Sequence, residues 1–440
     1  PGTAAASVSW PAEKEWGYAI YRLLPRQEYW LTIEDARQPE SVALPAARAR
    51  ADVRLDLPEP QFAACLNAQV AHILVGLVGN ETRPGDPNNY PLNWLRDGAY
   101  VVSALARAGL LDTAVELCGP IAVNDFFGGF GAEADAPGLA LWAMDEVAVR
   151  ANDRAFDEAL WPHAERKVGL ILEMLDATTV VRKPFSGPIV PTHARKPDLD
   201  LVCWPAQDGL IQGRMDWHRP LLYVNAVSYR GLISAARLAT RVGRNTDAEA
   251  WRGRAGLLRE AWAKALPTNE AGNERSSTCG LYPTWVATDR EAYRTALAAQ
   301  WNASHTADGS FRSRPLWTYF DLARAHQWLV LGEPGKTWDD LRWFWASPAA
   351  PGLYTWWESN GEENTFGRWE TVRGWVQPPH VTPHYWTAAE MILLQLDMLV
   401  CLDESEPQPA LIVGAGVPSE WLDRSLSVEG VSTRLGRVDW

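Results

Sequence analysis

Hydrophobic and polar positions follow two different periods along the chain. Residues 1–55 contain short stretches rich in aromatic and β-branched residues, separated by turn-forming residues, which is typical of strands. Further on, apolar side chains such as Phe62, Leu66 and Val70 recur every three or four positions, the period of a helix. We therefore predict a β-rich N-terminal segment, residues 1–55, followed by a helical domain, residues 56–403.

Nearly every helical stretch of this domain is followed by a Gly, Pro or Asn and then a loop. About a dozen helices without a convincing strand between them would pair as antiparallel hairpins, which predicts an all-α toroid or solenoid. No unit of roughly 34 to 45 residues recurs, so a closed barrel is favoured over a repeat solenoid. The predicted helices begin after Pro58 and at Asp97 and then cover residues 111–123, 137–151, 154–176, 221–242, 247–265, 289–301, 315–331, 338–346 and 384–402.

Strand-like stretches return near the C-terminus. Residues 410–413 and 426–433 are rich in β-branched and apolar residues and follow Pro407. We predict that residues 404–440 form a C-terminal β segment that is part of a β-sandwich. The pattern alone therefore predicts an all-α fold with small β segments at both ends.

Composition and charge narrow the class of ligand. Of the 440 residues, 47% are hydrophobic and 22% are charged, the composition of a globular rather than a disordered protein. A net charge of -13 without a block of Lys or Arg disfavours a nucleic-acid or anionic-membrane partner and favours a neutral ligand. The longest apolar run, residues 391–402, is too short for a membrane span and contains Gln395 and Asp397.

Cysteine and histidine usage gives no indication of a metal or cofactor. Five cysteines, an odd number without a close pair, indicate neither a disulfide framework nor a zinc site. His380 and His384 have the spacing of helical metal ligands, but neighbouring prolines keep that segment non-helical. No phosphate-binding or dinucleotide motif is present, so we expect no metal and no cofactor. Unpaired cysteines without an evident signal segment favour a cytoplasmic location.

Tryptophan is the residue whose frequency stands out. The chain contains 24 tryptophans, roughly four times ordinary usage. Several adjoin aromatic or charged residues, as in Trp356-Trp357-Glu358 and Tyr385-Trp386, which suits stacking on a sugar ring with polar groups at its edge. The alternative is a large helical core filled with indoles. We expect both uses, with most tryptophans in the core.

The stretch from Tyr90 to Tyr100 marks a loop that turns into a helix. Turn-forming residues precede it, and apolar residues at helical spacing follow it. It carries the indole of Trp94, the guanidinium of Arg96 and the carboxylate of Asp97, which can stack on a sugar ring and hydrogen-bond to its hydroxyls. Alternatively, Asp97 only caps the helix and Trp94 belongs to the core.

Two further loops carry a carboxylate ahead of a helix. Asp135 has the position of an N-cap, and a cap that faces a cleft can also contact a ligand. Asp216 lies between Met215 and Trp217, apolar flanks that would raise its pKa by desolvation, as a general acid requires. Pairing with a neighbouring arginine would lower that pKa, and a surface aspartate is the simpler alternative.

The loop covering residues 354–370 concentrates glutamates among tryptophans. Solvated charges are not ordinarily surrounded by indoles, so this loop is a candidate source of a general base or nucleophile. Glu358, directly after two tryptophans, is the first choice. Paired carboxylates from distant loops cleave glycosidic bonds, one protonating the leaving oxygen and the other activating water or attacking the sugar.

Three of these segments resemble motifs of one family. Trp94-Leu-Arg-Asp97 resembles the Trp-x-Arg-Asp motif of the six-hairpin (α/α)6-barrel glycosidases, which include glucoamylases, glycogen debranching enzymes and processing α-glucosidases. The segment from Asp135 resembles their Asp-x-x-Gly helix start, and the segment ending at Asp216 is similar to the Gly-Met/Trp-Asp motif that holds the catalytic acid. The resemblance covers residues 56–403 in the same order. It implies a six-hairpin barrel around the terminal sugar and inversion at the anomeric carbon.

The chain departs from this family at one position. Bacterial glucoamylases have a Gly-x-Trp-Glu acid motif, and the nearest match here, Gly209-Leu-Ile-Gln212, has Gln in place of Glu. Either Asp216 is the acid, as in the debranching enzymes, or the chain is impaired. No segment matches the base motif of the family closely either, so the choice of Glu358 as the base depends on its local chemistry.

The predicted function is a glycoside hydrolase that acts on the non-reducing end of an oligosaccharide at an α-glucosidic linkage. Asp216 would be the acid and Glu358 the base. The alternatives are a carbohydrate-binding pseudoenzyme and a related α/α-barrel phosphorylase or lyase. The residues expected to contact substrate are Tyr90, Trp94, Arg96, Asp97, Asp135, Trp217, Trp357, Glu363, His384 and Trp386.

Overall fold

Eleven α-helices make up most of the part of the chain that the structure describes. The computed structural model describes residues 51–440 without 88–89, 91, 127–130, 185–197, 268–274, 314–316, 350–351, 360–380 and 407. These residues lie within one compact unit, Arg48–Trp440, and the predicted segment 1–55 falls almost wholly outside them. The helices are α1 (Pro60–Val75), α2 (Leu95–Arg107), α3 (Leu111–Val123), α4 (Ala136–Ala151), α5 (Arg154–Leu175), α6 (Leu221–Arg241), α7 (Asn245–Ala265), α8 (Arg290–Ser304), α9 (Thr318–Val330), α10 (Pro334–Ala346) and α11 (Tyr385–Leu399).

The helices alternate along the chain between two concentric layers. α2, α4, α6, α9 and α11 are buried along nearly their whole length, whereas the other six each keep an exposed face. α2 packs against α4 and α4 against α6, while α11 packs against α9, α1 and α2. The contact between the last helix and the first two closes the ring. The predicted all-α toroid is therefore confirmed.

The sixth place of the inner layer is taken by an irregular segment, residues 276–287, in which every residue is buried. Its first residue, Ser276, accepts a hydrogen bond from the Leu222 amide of α6 at 3.1 Å. The Gln327 side chain of α9 makes two hydrogen bonds to its backbone, at 2.9 and 2.8 Å. The segment thus lies between α6 and α9 in the inner layer.

Two glycines allow α4 and α6 to pack closely. A Cβ atom at Gly138 would lie 2.4 Å from the carbonyl oxygen of Val227, and one at Gly231 would lie 2.6 Å from the Cα of Gly138. Such distances exclude any side chain at either position unless the helices separate. The close crossing fixes the start of α4 beside the start of α6, where two of the candidate loops end.

The expectation of no strand between the helices is wrong for one segment. A three-stranded antiparallel sheet lies between α5 and α6. Its central strand contains Pro205, and a proline within a strand-like run weakens its β pattern. The strands are β1 (Arg54–Asp56), β2 (Val181–Arg182), β3 (Leu201–Gln207), β4 (Leu210–Gly213), β5 (Val400–Asp403), β6 (Ala410–Val413), β7 (Ser427–Glu429), β8 (Val431–Thr433) and β9 (Gly436–Val438).

The C-terminal strands form two-stranded antiparallel sheets. β5 pairs with β6, β8 pairs with β9, and β7 pairs with β1 at the other end of the described chain. The predicted strands at 410–413 and 426–433 are present, the second one divided at Gly430. The predicted β-sandwich remains a prediction. Of the helices described, none is long and apolar enough to cross a membrane.

Candidate active site

The candidate side chains converge at the N-terminal ends of the inner helices. Arg96 and Asp97 lie in the first turn of α2, and Asp135 is the N-cap residue of α4. Asp216 lies in the turn that precedes α6, and His384 is the N-cap residue of α11. Because the inner helices run in the same direction, these five residues meet at one end of the barrel.

Arg96 lies at the centre of this group and is only 5% exposed. Its Nη1 is 2.6 Å from Oε2 of Glu133 and 3.0 Å from Oδ2 of Asp135. Its Nη2 is 3.2 Å from Oδ1 of Asp216, and its Nε is 3.9 Å from Oδ2 of Asp97. One guanidinium therefore faces four carboxyl groups. Three of the four are buried, and one positive charge does not balance four negative ones in such a site, so some of these carboxyls keep a proton.

Burial decides which carboxyls keep their protons. It raises the pKa of Asp97 to about 8, although Arg96 acts in the opposite direction. It also raises the pKa of Glu133 well above its usual range and raises that of Asp135, again against the effect of Arg96. At neutral pH we therefore assign a proton to Asp97 and a proton to Glu133.

Asp216 is the exception, and its apolar flanks do not raise its pKa as expected. Burial acts in that direction, but the Arg96 guanidinium outweighs it together with the side chains of His218 and Arg275. The Glu133 side chain also favours the ionised form, so the pKa of Asp216 lies below its usual range. Asp216 is thus a carboxylate that shares the Arg96 guanidinium with a protonated Glu133.

Arg214 fixes the backbone around this pair of acids. Its Nε donates to the carbonyl oxygens of Ala132 and Leu201, both at 2.8 Å, and its Nη1 donates to the carbonyl oxygen of Asp216 at 3.2 Å. Asp216 itself has a φ of 52°, in the left-handed region. These contacts hold the loop of Glu133 against the turn of Asp216.

Glu358 is held between the starts of α9 and α11. Its backbone N–H donates to the carbonyl oxygen of Val381 at 2.9 Å, and its carbonyl oxygen accepts from the Thr318 N–H at 3.2 Å. The Tyr90 hydroxyl donates to its Oε2 at 2.7 Å. The negative charge of Glu358 also contributes to the raised pKa of Asp97.

His384 lies next to Glu358. Its Nε2 is 3.9 Å from Oε1 of Glu358, and its Nδ1 is 2.8 Å from the hydroxyl oxygen of Thr387. That hydroxyl is 2.7 Å from the hydroxyl of Thr318, which donates to the carbonyl oxygen of Trp357 at 2.5 Å. Burial and a nearby guanidinium lower the pKa of His384 to about 3, so the imidazole is neutral.

The four candidate tryptophans differ in exposure. Trp94, Trp357 and Trp386 are buried, whereas Trp217 is 36% exposed. The Arg96 guanidinium lies over the Trp386 ring, 5.2 Å from its centroid, a cation–π contact. Three of the four therefore belong to the packed wall of the site, and Trp217 is the one whose indole is available to solvent.

Two residues that the sequence analysis singled out are not seen in this group. Gln212 lies on β4 opposite Trp204 of β3, in the sheet that precedes the turn of Asp216. Glu363 lies outside the described residues. In the described part of the chain, no group of three or more His, Cys, Asp or Glu side chains is arranged to hold a metal ion.

Glu133 and the threonine pair were not predicted from the sequence. The signal for Glu133 is the alternation Ala132-Glu-Ala-Asp-Ala136, which puts two acids on one side of an extended segment between small residues. Thr318 and Thr387 are 69 residues apart in sequence, and no local pattern connects them. Their role depends on two inner helices starting side by side.

Known proteins share the fold of this chain but not its sequence. No family model matches it, and no curated protein matches it. Solved structures do match. A variant of a glycosidase, in complex with glucose, has 14% sequence identity and a TM-score of 0.54, covering 77% of this chain and 98% of its own.

Two rhamnosidases share the fold as well. The rhamnosidase from Klebsiella oxytoca with rhamnose bound has 17% identity and a TM-score of 0.52, covering 78% of this chain and 65% of its own. The GH78 family rhamnosidase of Bacillus sp. GL1 has 14% identity and a TM-score of 0.56, covering 88% of this chain and 40% of its own. At these identities the likeness concerns the fold, so this chain has the α/α-barrel fold found in glycosidases.

Proposed function

We propose that the protein is a glycoside hydrolase that removes a sugar from the non-reducing end of an oligosaccharide. One observation carries the proposal. Asp216 and Glu358, from separate loops, keep partly exposed side chains, 22% and 15%, whereas the side chains of Asp97, Glu133 and Asp135 are 6% exposed or less. Cleaving a glycosidic bond requires two carboxyl groups that the substrate can reach, and burial largely withholds the other three acids from it. The fold shared with glycosidases supports the same conclusion.

In this proposal Asp216 protonates the leaving oxygen and Glu358 activates water. Asp216 is ionised in the free protein, so it must receive a proton before it can act as an acid. Glu133 holds a proton and contacts the same guanidinium as Asp216, which makes it the proposed donor for Asp216. Arg96 contacts both acids and keeps them together.

The first substrates to test are α-glucosides. The motif resemblance favours a glucosyl residue at an α-linkage, and one solved structure with this fold contains glucose. Rhamnosides come second, because two further structures with this fold are rhamnosidases. We propose inversion, the outcome expected from the family that the motifs resemble; NMR of the first-formed anomer measures it.

The test is product analysis on a panel of α- and β-linked gluco-, manno- and rhamno-oligosaccharides. Wild type is compared with Asp216→Asn and Glu358→Gln. Asp208→Asn is a matched control for the first variant, because Asp208 also has a φ of 52° but lies in the exposed β3–β4 turn. Glu165→Gln, on the exposed face of α5, is the control for the second.

Hydrolysis by the wild type and both controls, with loss of turnover in the two site variants, is the expected result. Cleavage that requires phosphate would replace the hydrolase with a phosphorylase, and a product absorbing in the ultraviolet would indicate a lyase. Sugar binding without turnover on the whole panel would make the site a receptor and reject the proposal.

A further inference from the structure

A chain of hydrogen bonds fixes the tautomer of His384. The Thr318 hydroxyl has one hydrogen and donates it to the carbonyl oxygen of Trp357, which can only accept. Between the two threonines, the Thr387 hydroxyl must therefore be the donor. Because its single hydrogen is used there, Thr387 can only accept from His384, so Nδ1 of the imidazole carries the hydrogen.

The second ring nitrogen of His384 is then an acceptor. The ring is neutral, so with a hydrogen on Nδ1 the Nε2 atom has a free lone pair. Nε2 is buried, and among the described residues it has no hydrogen-bond partner. Oε1 of Glu358 is 3.9 Å away and, in an ionised carboxylate, is also an acceptor. Two acceptors at this distance cannot bond to each other.

A single water molecule between these two atoms would satisfy both acceptors. An oxygen about 2.8 Å from each acceptor, the usual hydrogen-bond length, would make an angle of roughly 90° between them. That is close to the angle between the two O–H bonds of water. A sugar hydroxyl has only one hydrogen and cannot satisfy both acceptors, whereas water has two.

We propose that His384 and Glu358 together hold the water molecule that attacks the anomeric carbon, with His384 as a positioning residue. This inference rests on the proposed hydrolase function and defines the base side of the same site. With both hydrogens of the water engaged, its oxygen lone pairs are directed away from the two acceptors, toward the sugar.

The step balances with both groups in place. As the water oxygen forms its bond to the anomeric carbon, the hydrogen on the Glu358 side passes to that carboxylate. The bond from the anomeric carbon to the leaving oxygen breaks, and the leaving oxygen takes the proton of Asp216. The hydrogen facing His384 stays on the attacking oxygen and becomes that of the new anomeric hydroxyl. His384 remains neutral throughout.

The groups around His384 are consistent with a neutral acceptor. A protonated ring would place a positive charge near the Arg96 guanidinium, which lowers the pKa of His384 in addition to burial. Among the residues that the structure describes, the other titratable and charged groups at this end of the barrel include Tyr90, Asp97, Glu133, Asp135, Arg214, Asp216, His218, Arg275 and Glu358.

The first experiment is nitrogen-15 NMR of the full chain labelled at histidine, with His384 assigned by its loss in His384→Gln. We expect a protonated Nδ1 and an unprotonated Nε2 that does not titrate near pH 6.5. Thr387→Val removes the acceptor for the Nδ1 hydrogen, so the hydrogen should move to Nε2, where Glu358 accepts it. A hydrogen on Nε2 in the wild type would overturn the proposal.

Kinetics on the substrate found in the panel complete the test. We expect His384→Leu and Thr387→Val to lower kcat by roughly tenfold or more with KM nearly unchanged, because they disturb the water and not the sugar. His384→Gln, whose side-chain oxygen can accept, should keep more of the activity than His384→Leu.

Thr337→Val is the control, since Thr337 is equally buried and donates to a backbone carbonyl of α9, away from the site. Loss of kcat in this control equal to that in Thr387→Val would reduce the effect to general packing and reject the role of His384. If the wild type cleaves no substrate, the hydrolase proposal fails, and the NMR measurement still decides whether Nε2 is an acceptor.

Discussion

Arg96 shows how a single residue determines the protonation of its neighbours. It faces four carboxyl groups from three separate parts of the chain. Burial disfavours the ionised form of a carboxyl group, so some of them retain their protons. The result is that Asp216 is ionised while Glu133 is not. Two chemically similar acids thus differ in protonation because one has more positive charge around it.

Asp97→Asn should change the pH dependence of stability. The folded protein keeps the proton of Asp97 up to about pH 8, whereas an unfolded aspartate loses it near its ordinary pKa of about 3.9. The wild type therefore loses stability as the pH rises between these values, by roughly 1.4 kcal/mol per pH unit for this group at most. Asparagine does not titrate, so the free energy of unfolding of the variant should rise relative to that of the wild type from pH 5 to pH 8. Urea unfolding at both pH values measures these free energies. If variant and wild type differed by the same amount at pH 5 and pH 8, the prediction would be contradicted.

Glu133→Gln should lower turnover while keeping the fold. The side-chain oxygen of glutamine can still accept the hydrogen bond from Arg96, but glutamine has no proton to transfer. We expect kcat to fall by roughly tenfold or more and the alkaline limb of the pH profile to move to lower pH. Unchanged pH limbs in Glu133→Gln, measured beside Glu165→Gln, would show that Glu133 does not supply the proton.

At the residue scale, the sequence singled out those side chains that lie within a recognisable local pattern. Arg96 and Asp97 follow a loop-to-helix corner, and the structure brings both beside Asp216 and Glu358. The role of His384 depends on a threonine from a different helix, and that contact leaves no trace in the local sequence. The sequence left the direction of the Asp216 pKa shift open, because Arg96 and Arg275, two of the groups that lower it, are distant in sequence.

At the scale of elements, helix boundaries were predicted well because stop residues mark them. The predicted helix 111–123 coincides with α3, and the predicted 221–242 exceeds α6 by one residue. The irregular inner segment 276–287 was not predicted, since its apolar residues lack a helical or strand period. Only its burial between two inner helices shows that it occupies the place of a helix.

Gly138→Ala should destabilise the barrel where α4 meets α6. The added methyl group would lie 2.4 Å from a backbone carbonyl of α6, and neither helix can yield without moving its neighbours. We expect a loss of about 1–3 kcal/mol in the free energy of unfolding. Gly169→Ala in α5 is the control, because a Cβ there meets nothing within 4 Å and alanine favours a helix. Equal stability of the two variants would show that the crossing tolerates a side chain.

At the scale of the whole molecule, the C-terminal segment joins the barrel through buried charges. Arg434, between β8 and β9, is 2.9 Å from Asp145 and 2.8 Å from Glu146, both on α4. Its Nε is 3.6 Å from Glu404, which follows β5. This network lies at the C-terminal ends of the inner helices, opposite the candidate site. It connects the last residues of the chain to the middle of the barrel.

Arg434→Gln should destabilise the whole barrel and leave the site intact. Removing one partner of a buried ion-pair network leaves uncompensated charges, at a cost of about 3–5 kcal/mol. Urea unfolding should show this loss, with sugar binding unchanged in the folded variant. Arg437→Gln is the control, because the Arg437 side chain is 57% exposed and its loss should have little effect. A stable Arg434→Gln protein would mean that the C-terminal segment is only loosely attached.

The common direction of the inner helices has an electrical consequence. Each helix carries about half a positive elementary charge at its N-terminus, and five such ends point at the candidate site. A chain with a net charge of -13 therefore presents the positive ends of its backbone dipoles to the atoms that would react. That field comes from buried peptide groups, which dissolved ions do not reach, so the chemistry at the site should depend little on ionic strength.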